Sequence, residues 1–302
     1  MKVSNKIVKI IVLSLIIHVI FVMLRVAFYT LLERKSLASI HLRLGPNKPG
    51  PLGILVPFAD ALKLLTKECV HPITRNPIIF LGVPILTLLI PLFLWVIYPS
   101  YFPPLLFQFS VLLFLAVASL GVYTILGAGW RRNRRYSFLG AVRAVAQSIS
   151  YEVRLSLILL HAILFCNYVL LTSKLVPLIV FLFGICILLT VTSLAETNRS
   201  PFDFSEGESE LVRGFNTEYR SVQFLMIFLA EYISILYMAF MIVSLFMMSG
   251  YADLWLFFSF RRLLFIWTRG TLPRLRYDQL ISLAWKTFLP VALAALAVST
   301  QL

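Results

Sequence analysis

The chain has 302 residues, of which 60% are hydrophobic and only 13% charged. A soluble domain carries roughly a quarter of its residues as charged side chains, so this composition excludes a water-coated globule. The net charge of +14 then points to basic loops held on one side of a bilayer, and away from a nucleic-acid partner.

Apolar runs long enough to cross a bilayer dominate the chain. They predict spanning helices near 7–32, 78–98, 105–127, 142–165, 170–194, 221–249, 252–268 and 282–300. The expected fold class is an all-α polytopic membrane protein in one membrane domain, with about eight transmembrane helices. The start, MKVSNKIVKI, is basic like the front of a signal peptide. The apolar run behind it is too long and has no small-x-small cleavage site, so it reads as a span that stays. At about 39 Å this first span exceeds the ~30 Å hydrocarbon core and should tilt or protrude. Arg261 and Arg262 interrupt the seventh run.

With eight spans, the loops near 33–77, 128–141, 195–220 and 269–281 share one side. They carry 17 basic residues, against 4 on the other side. The basic side is the inside, cytoplasm or matrix, and both termini face the opposite way. Gly45-Pro46 and Gly50-Pro51 mark turns in the first loop, and Pro57 suits the start of a helix. Phe58, Leu62 and Leu65 then fall on one face and Asp60, Lys63 and Lys67 on another, as in a short helix lying in the interface.

Six of the thirteen acids lie in one loop: Glu196, Asp203, Glu206, Glu208, Glu210 and Glu218. Ser205 with Glu208 fits a capping box, and Gly214 fits the end of the short helix that follows. Glu206 and Glu210 stand four apart, where like charges repel and burial raises the pKa of one of them. Pro201, Phe202, Phe204, Leu211, Val212 and Phe215 interleave with these acids, so the loop is expected to fold back against the bundle. Glu33, Glu152 and Glu231 lie in or at the ends of spans, where Arg25, Arg143 and Arg154 could pair with them. A charge in the bilayer is costly unless it is paired or lines a wet path; by residue type the two readings stand level.

Three cysteines without a CxxC pair give no disulfide framework and no thiolate cluster site. His18 and His161 could clamp a haem between two helices; the simpler expectation is a hydrogen bond to a neighbouring helix. No nucleotide, flavin or hydrolase motif is present, and no metal site is expected.

The motifs Glu33-Arg34-Lys35, Leu44-Gly45-Pro46-Asn47, Pro57-Phe58-Ala59-Asp60-Ala61-Leu62-Lys63 and Thr66-Lys67-Glu68 come in that order. Arg143-Ala144-Val145-Ala146-Gln147, Ser150-Tyr151-Glu152-Val153 and Ala195-Glu196-Thr197-Asn198-Arg199 follow. Glu206-Gly207-Glu208-Ser209-Glu210, Phe215-Asn216-Thr217-Glu218-Tyr219 and Pro273-Arg274-Leu275-Arg276-Tyr277-Asp278-Gln279-Leu280 complete the set. From about residue 30 to 290 this pattern resembles the chain 1 family of NADH:ubiquinone oxidoreductase (respiratory complex I), in its mitochondrially encoded form.

The resemblance implies a core subunit of a proton-pumping enzyme with no complete active site of its own, set in the mitochondrial inner membrane with both termini on the intermembrane-space side. It implies a quinone tunnel lined or stabilised by Arg34, Arg43, Phe215, Arg274 and Arg276. It implies a charged path through Glu33, Asp60, Glu68, Tyr151, Glu152, Glu196, Arg199, Asp203, Glu206, Glu208, Glu210, Glu218 and Glu231. Ubiquinone would be the substrate, while FMN and iron–sulfur clusters would sit in partner subunits of the hydrophilic arm. Small membrane-arm subunits and the lipid bilayer would be the other partners. A hydrogenase-type membrane anchor, a stand-alone proton-coupled transporter and a haem-bearing anchor are the alternatives.

Overall fold

The computed structural model describes residues 2–68, 77–97, 109–130, 135–171, 183–203, 219–246 and 251–301. Among the described residues every regular element is helical. In chain order these are α1 (Lys2–Ile40), a 3-10 turn (Pro51–Gly53), α2 (Val56–Thr66), α3 (Pro77–Val96), α4 (Ser110–Trp130), α5 (Arg135–Leu171) and α6 (Phe183–Glu196). Then come α7 (Ser221–Phe246), α8 (Tyr251–Thr271) and α9 (Tyr277–Leu283). A π-helical turn (Ala284–Phe288) carries α9 into α10 (Leu289–Gln301).

Six of the expected eight spans are long and apolar enough to cross a membrane: those in α1, α3, α4, α5, α7 and the continuous run Tyr277–Gln301. The fifth expected span, 170–194, is represented by α6, whose described part is short. The seventh, 252–268, is helical in α8, but Asp253, Arg261, Arg262 and Arg269 make that helix too polar to qualify by composition. Arg261 is nevertheless buried and donates from Nη2 to Cys186 Sγ at 2.7 Å. Arg262 lies over the Phe258 ring, 4.7 Å from its centre. Packing on soft, polarisable groups is how this helix keeps two adjacent guanidinium groups.

Helix ends depart from the expected spans for a common reason. Charge takes a helix out of the hydrocarbon but does not stop it. The first span was expected to end at residue 32, yet α1 continues through Glu33, Arg34 and Lys35 to Ile40. It stops where Leu42 adopts a left-handed φ of 54° and Arg43 N–H donates to the Ala38 carbonyl at 2.9 Å. This is a Schellman-type closure without glycine. The loop expected at 128–141 likewise shrinks, because α4 runs to Trp130 and α5 begins at Arg135.

The described chain divides into two compact units. The first runs up to Thr124 and adds the stretch of α7 ending at Tyr237. In it α1 packs on α2 and α3. His18 Nε2 lies 3.0 Å from the Trp95 carbonyl oxygen, the hydrogen bond to a neighbouring helix expected of it. The Trp95 indole N–H donates to the Ile233 carbonyl at 3.2 Å, and the Tyr237 ring stacks on Phe114 at 5.5 Å. The expected interfacial helix is α2, with Pro57 in its first turn and Phe58, Leu62 and Leu65 exposed on one face. Its end is tied to α7 by the Ser221 hydroxyl, which donates to the Leu64 and Lys67 carbonyls at 3.1 and 2.6 Å.

The second unit runs from Ile125 and from Met238. Here α5 is the hub, packed on α6 and α10. Gly129, near the end of α4, faces α5 so closely that a Cβ at this position would overlap that of Ala141 and meet the Ser137 carbonyl at 3.1 Å. Gly121, two turns earlier, has open space at its Cβ position. Gly129→Ala should therefore lower the melting temperature of the detergent-solubilised assembly, at a cost of about 1–3 kcal/mol for overpacking. Gly121→Ala should leave it unchanged or slightly raised, because alanine favours the helix.

Candidate functional site

In the second unit the site is built around the end of α6. Glu196 is the last residue of α6, just past its apolar run, and the chain then turns sharply. Asn198 adopts a left-handed φ of 48°, Arg199 N–H reaches the Leu194 carbonyl at 3.4 Å, and Phe202 N–H donates to the Arg199 carbonyl at 2.8 Å. This turn is pinned from two sides. The Gln147 amide on α5 donates to the Ala195 carbonyl at 3.0 Å and to the Phe202 carbonyl at 2.8 Å. The Leu275 N–H donates to the Pro201 carbonyl at 3.2 Å. The Arg274 guanidinium pairs with the Asp203 carboxylate at 3.2 Å and also bonds that residue's backbone carbonyl. Phe202 is buried, 6.3 Å from the Tyr151 ring. The described part of the acidic loop is thus folded in, as its apolar residues suggested.

Glu196 is held apart from this network. Its Oε2 is sealed from solvent and has no hydrogen-bond partner. Loss of solvation comes first, and the charge of Glu152 on α5 adds to it; together they push the Glu196 carboxyl up to about 8. At pH 7 it is therefore mostly protonated. A carboxyl group poised this close to neutrality can give up a proton or take one back at small cost.

The first unit gathers a second set. Glu33 is 4% exposed and accepts a hydrogen bond from the Tyr232 hydroxyl at 2.6 Å, while Glu231 precedes that tyrosine on α7. Arg34 pairs with Asp60 at 2.6 Å, joining α1 to α2. Both partners are about half exposed, so the pair contributes well under ~1 kcal/mol to stability and serves mainly to fix geometry. Arg43 and Glu68 are exposed.

The expected tunnel and path residues thus fall into two groups. Glu33, Arg34, Arg43, Asp60, Glu68 and Glu231 belong to the first unit, and Tyr151, Glu152, Glu196, Arg199, Asp203, Arg274 and Arg276 to the second. Arg276 and Asp278 form an exposed pair at 3.5 Å. Glu206, Glu208, Glu210, Phe215 and Glu218, together with the capping box and Gly214, lie outside the described residues. Among the described residues, no group of three or more histidines, cysteines or acids is placed to hold a metal ion.

A profile of the NADH dehydrogenase family matches residues 13–300. The chain belongs to the NADH dehydrogenase family. It is similar to NADH-ubiquinone oxidoreductase chain 1 of Aedes aegypti, with 51% identity over 282 residues, covering 91% of this chain and 90% of the relative. The same subunit of Heterololigo bleekeri is 47% identical over 296 residues, covering 94% of both chains. That of Tetraodon nigroviridis is 45% identical over 297 residues, covering 94% of this chain and 92% of the relative. The chain is therefore a subunit of an NADH–ubiquinone oxidoreductase, multi-pass in its membrane.

Some supporting residues of this NADH dehydrogenase subunit were not singled out from sequence. Tyr232 is the partner of Glu33, and Gln147 clamps the turn after Glu196. Gln147 carried one signal, an amide within an expected span, where a polar side chain is costly unless it bonds a neighbour. Arg154 was one of three candidate partners for the carboxylates in the spans. It lies instead over the Tyr151 ring, 4.1 Å from its centre. Infrared titration of the intact assembly should show a protonated-carboxyl band that fades as pH rises through about 8. That band should be missing from Glu196→Gln, and its persistence in the variant would assign the proton elsewhere.

Proposed function

We propose that this subunit walls the quinone-access tunnel where the membrane part of the oxidoreductase meets its hydrophilic arm, and that it begins the charged path linking quinone reduction to proton translocation. The observation that carries this reading is the carboxyl group of Glu196, whose Oε2 is sealed from solvent without a hydrogen-bond partner. It stands beside Glu152, at a turn clamped by Gln147 and by the Arg274–Asp203 pair. Quinone reduction consumes two protons, and a carboxyl group titrating near neutral pH is suited to take part in their supply. Carboxyl groups crowded in low dielectric titrate as a group, so a charge change at one is felt by the next.

In this reading Arg34, Arg43, Phe215, Arg274 and Arg276 line or brace the tunnel. Asp60, Glu68, Glu196, Arg199, Asp203, Glu206, Glu208, Glu210 and Glu218 start the path, and Glu33, Tyr151, Glu152 and Glu231 continue it. The subunit binds no cofactor alone: ubiquinone is the substrate, and FMN and iron–sulfur clusters belong to hydrophilic-arm partners. It sits in the mitochondrial inner membrane beside small membrane-arm subunits, with its basic loops in the matrix and both termini on the other side. The transporter, haem-anchor and hydrogenase-anchor readings have nothing behind them comparable to 45–51% identity with chain 1 subunits over nine-tenths of the chain.

Glu196→Gln tests the path. The assembly should form at its normal size, while coupled NADH–quinone turnover falls by roughly tenfold. That is less than the ~100-fold typical of losing a proton donor at the reacting atoms, because water can substitute within a relay. Normal proton pumping in this variant would remove Glu196 from the path. A photoreactive quinone-site inhibitor analogue should tag peptides containing Arg34, Phe215 or Arg274; tags confined to other subunits would count against the tunnel wall.

A further inference from the structure

One face of α5, a helix long and apolar enough to cross a membrane, carries four polar side chains. Gln147, Tyr151, Arg154 and His161 stand at i, i+4, i+7 and i+14, with Ile158 filling i+11. At this spacing they form a single stripe. All four are buried: 0% exposed for Gln147, Tyr151 and Arg154, and 5% for His161. Each keeps at least one sealed polar atom with no hydrogen-bond partner. These are Gln147 Oε1, the Tyr151 hydroxyl, Arg154 Nε, Nη1 and Nη2, and His161 Nδ1.

Arg154 sets the scale of the problem. A ring face recovers only a small part of what a guanidinium loses when it is taken out of water. The Tyr151 ring covers one face of Arg154 and the hydroxyl of the same tyrosine interacts with the guanidinium, but none of its three nitrogens meets a partner in hydrogen-bond geometry. With no exposed surface, Arg154 is closed to groups from outside the chain. The unsatisfied atoms also restrict what can serve them. Arg154 offers only donors, while Gln147 Oε1 is only an acceptor. His161 is engaged at its other ring nitrogen by the Ala295 backbone, which leaves Nδ1 as an acceptor. An anion would serve Arg154 and oppose both acceptors. Water both accepts from the guanidinium and donates to the amide and imidazole.

We propose that α5 lines a seam of bound water from Gln147 to His161, and that the Arg154 guanidinium is a fixed positive barrier that stops protons from passing along it. The stripe rises about 21 Å over fourteen residues, some two-thirds of the ~30 Å hydrocarbon core. An unbroken water chain of that length would leak protons across a membrane that stores a proton gradient. A guanidinium stays charged at any physiological pH and repels hydronium, as positive groups do in pores that pass water and exclude protons. The residue that makes the seam wet is thus also the one that closes it. The seam shares Tyr151 with the proposed path but none of its acids.

The test uses the whole assembly, reconstituted in liposomes and left idle without NADH. It therefore reads the seam and not pumping, and succeeds or fails independently of the path through Glu196. After an external pH jump, an internal pH dye follows proton entry. Arg154→Gln should leak several-fold faster than the unaltered assembly, and Arg154→Lys, which keeps the charge, should be as tight. Arg154→Gln vesicles as tight as the unaltered ones, or Arg154→Lys vesicles as leaky as Arg154→Gln, overturn the barrier. High-resolution cryo-electron microscopy of the unaltered assembly gives a second readout that needs no variant to fold. Water density touching Arg154 and His161 is expected; a dry guanidinium, or one held by a carboxylate, overturns the seam.

Discussion

A polar group inside a bilayer must find its partner within the protein, and this constraint organises the described structure. The Gln147 amide shows the satisfied case. It donates to the Ala195 carbonyl, which also accepts from the Asn198 N–H, and to the Phe202 carbonyl, and so converts a costly amide in a span into the clamp that positions Glu196. An isolated hydrogen bond is worth about 1 kcal/mol net, but each buried carbonyl left without one costs more. The clamp therefore matters less for the energy it adds than for the conformations it forbids. With Ala195 and Phe202 both held, the chain between them has little freedom. The Glu196 carboxyl group is fixed in a place where its Oε2 finds no donor.

That fixed isolation is what makes the group useful. A carboxylate with several donors would stay ionised over the whole physiological range, and one in contact with lipid would stay protonated. Glu196 lies between, because desolvation raises its pKa and the nearby Glu152 raises it further. The sign follows directly. Its protonated form is favoured below about 8, and the folded state loses that advantage as pH rises through this value. An arriving positive charge would lower the pKa and release the proton; a departing one would do the opposite. The Arg274–Asp203 pair borders the same turn, so a change in either partner's environment acts on a segment already held under constraint.

Most of the fold was legible because apolar length and helical period are strong signals, and the interfacial helix α2 was legible from the spacing of three apolar residues. The helix ends were less so. Glu33, Arg34 and Lys35 mark where α1 leaves the hydrocarbon, but the helix continues until Leu42 takes a left-handed conformation that no glycine announces. The candidate site residues were named by motif, and their partners were not. Glu33 meets Tyr232 across a sequence separation of 199 residues that side-chain type does not encode, whereas Arg154 meets Tyr151 one turn earlier on the same helix, a spacing open to reading. Among the contacts described, Arg154 lies on a ring, Glu33 accepts from a hydroxyl and Arg261 donates to sulfur.

Those choices of partner bear on function. An ion pair between Arg154 and a carboxylate would have been neutral overall and dry. A guanidinium on a tyrosine ring keeps its full charge and its unmet N–H groups, so the same helix that presents Glu152 also carries a permanent positive charge on another face. In the proposed reading, the acid of the path, Glu152, and the barrier, Arg154, share one helix but not one face, because successive residues on α5 point 100° apart. Separation of the two depends on that angle and on tight packing against α6 and α10. A substitution that rotates or loosens α5 would bring the conducting face and the blocking face into communication, even if it touched neither Glu152 nor Arg154.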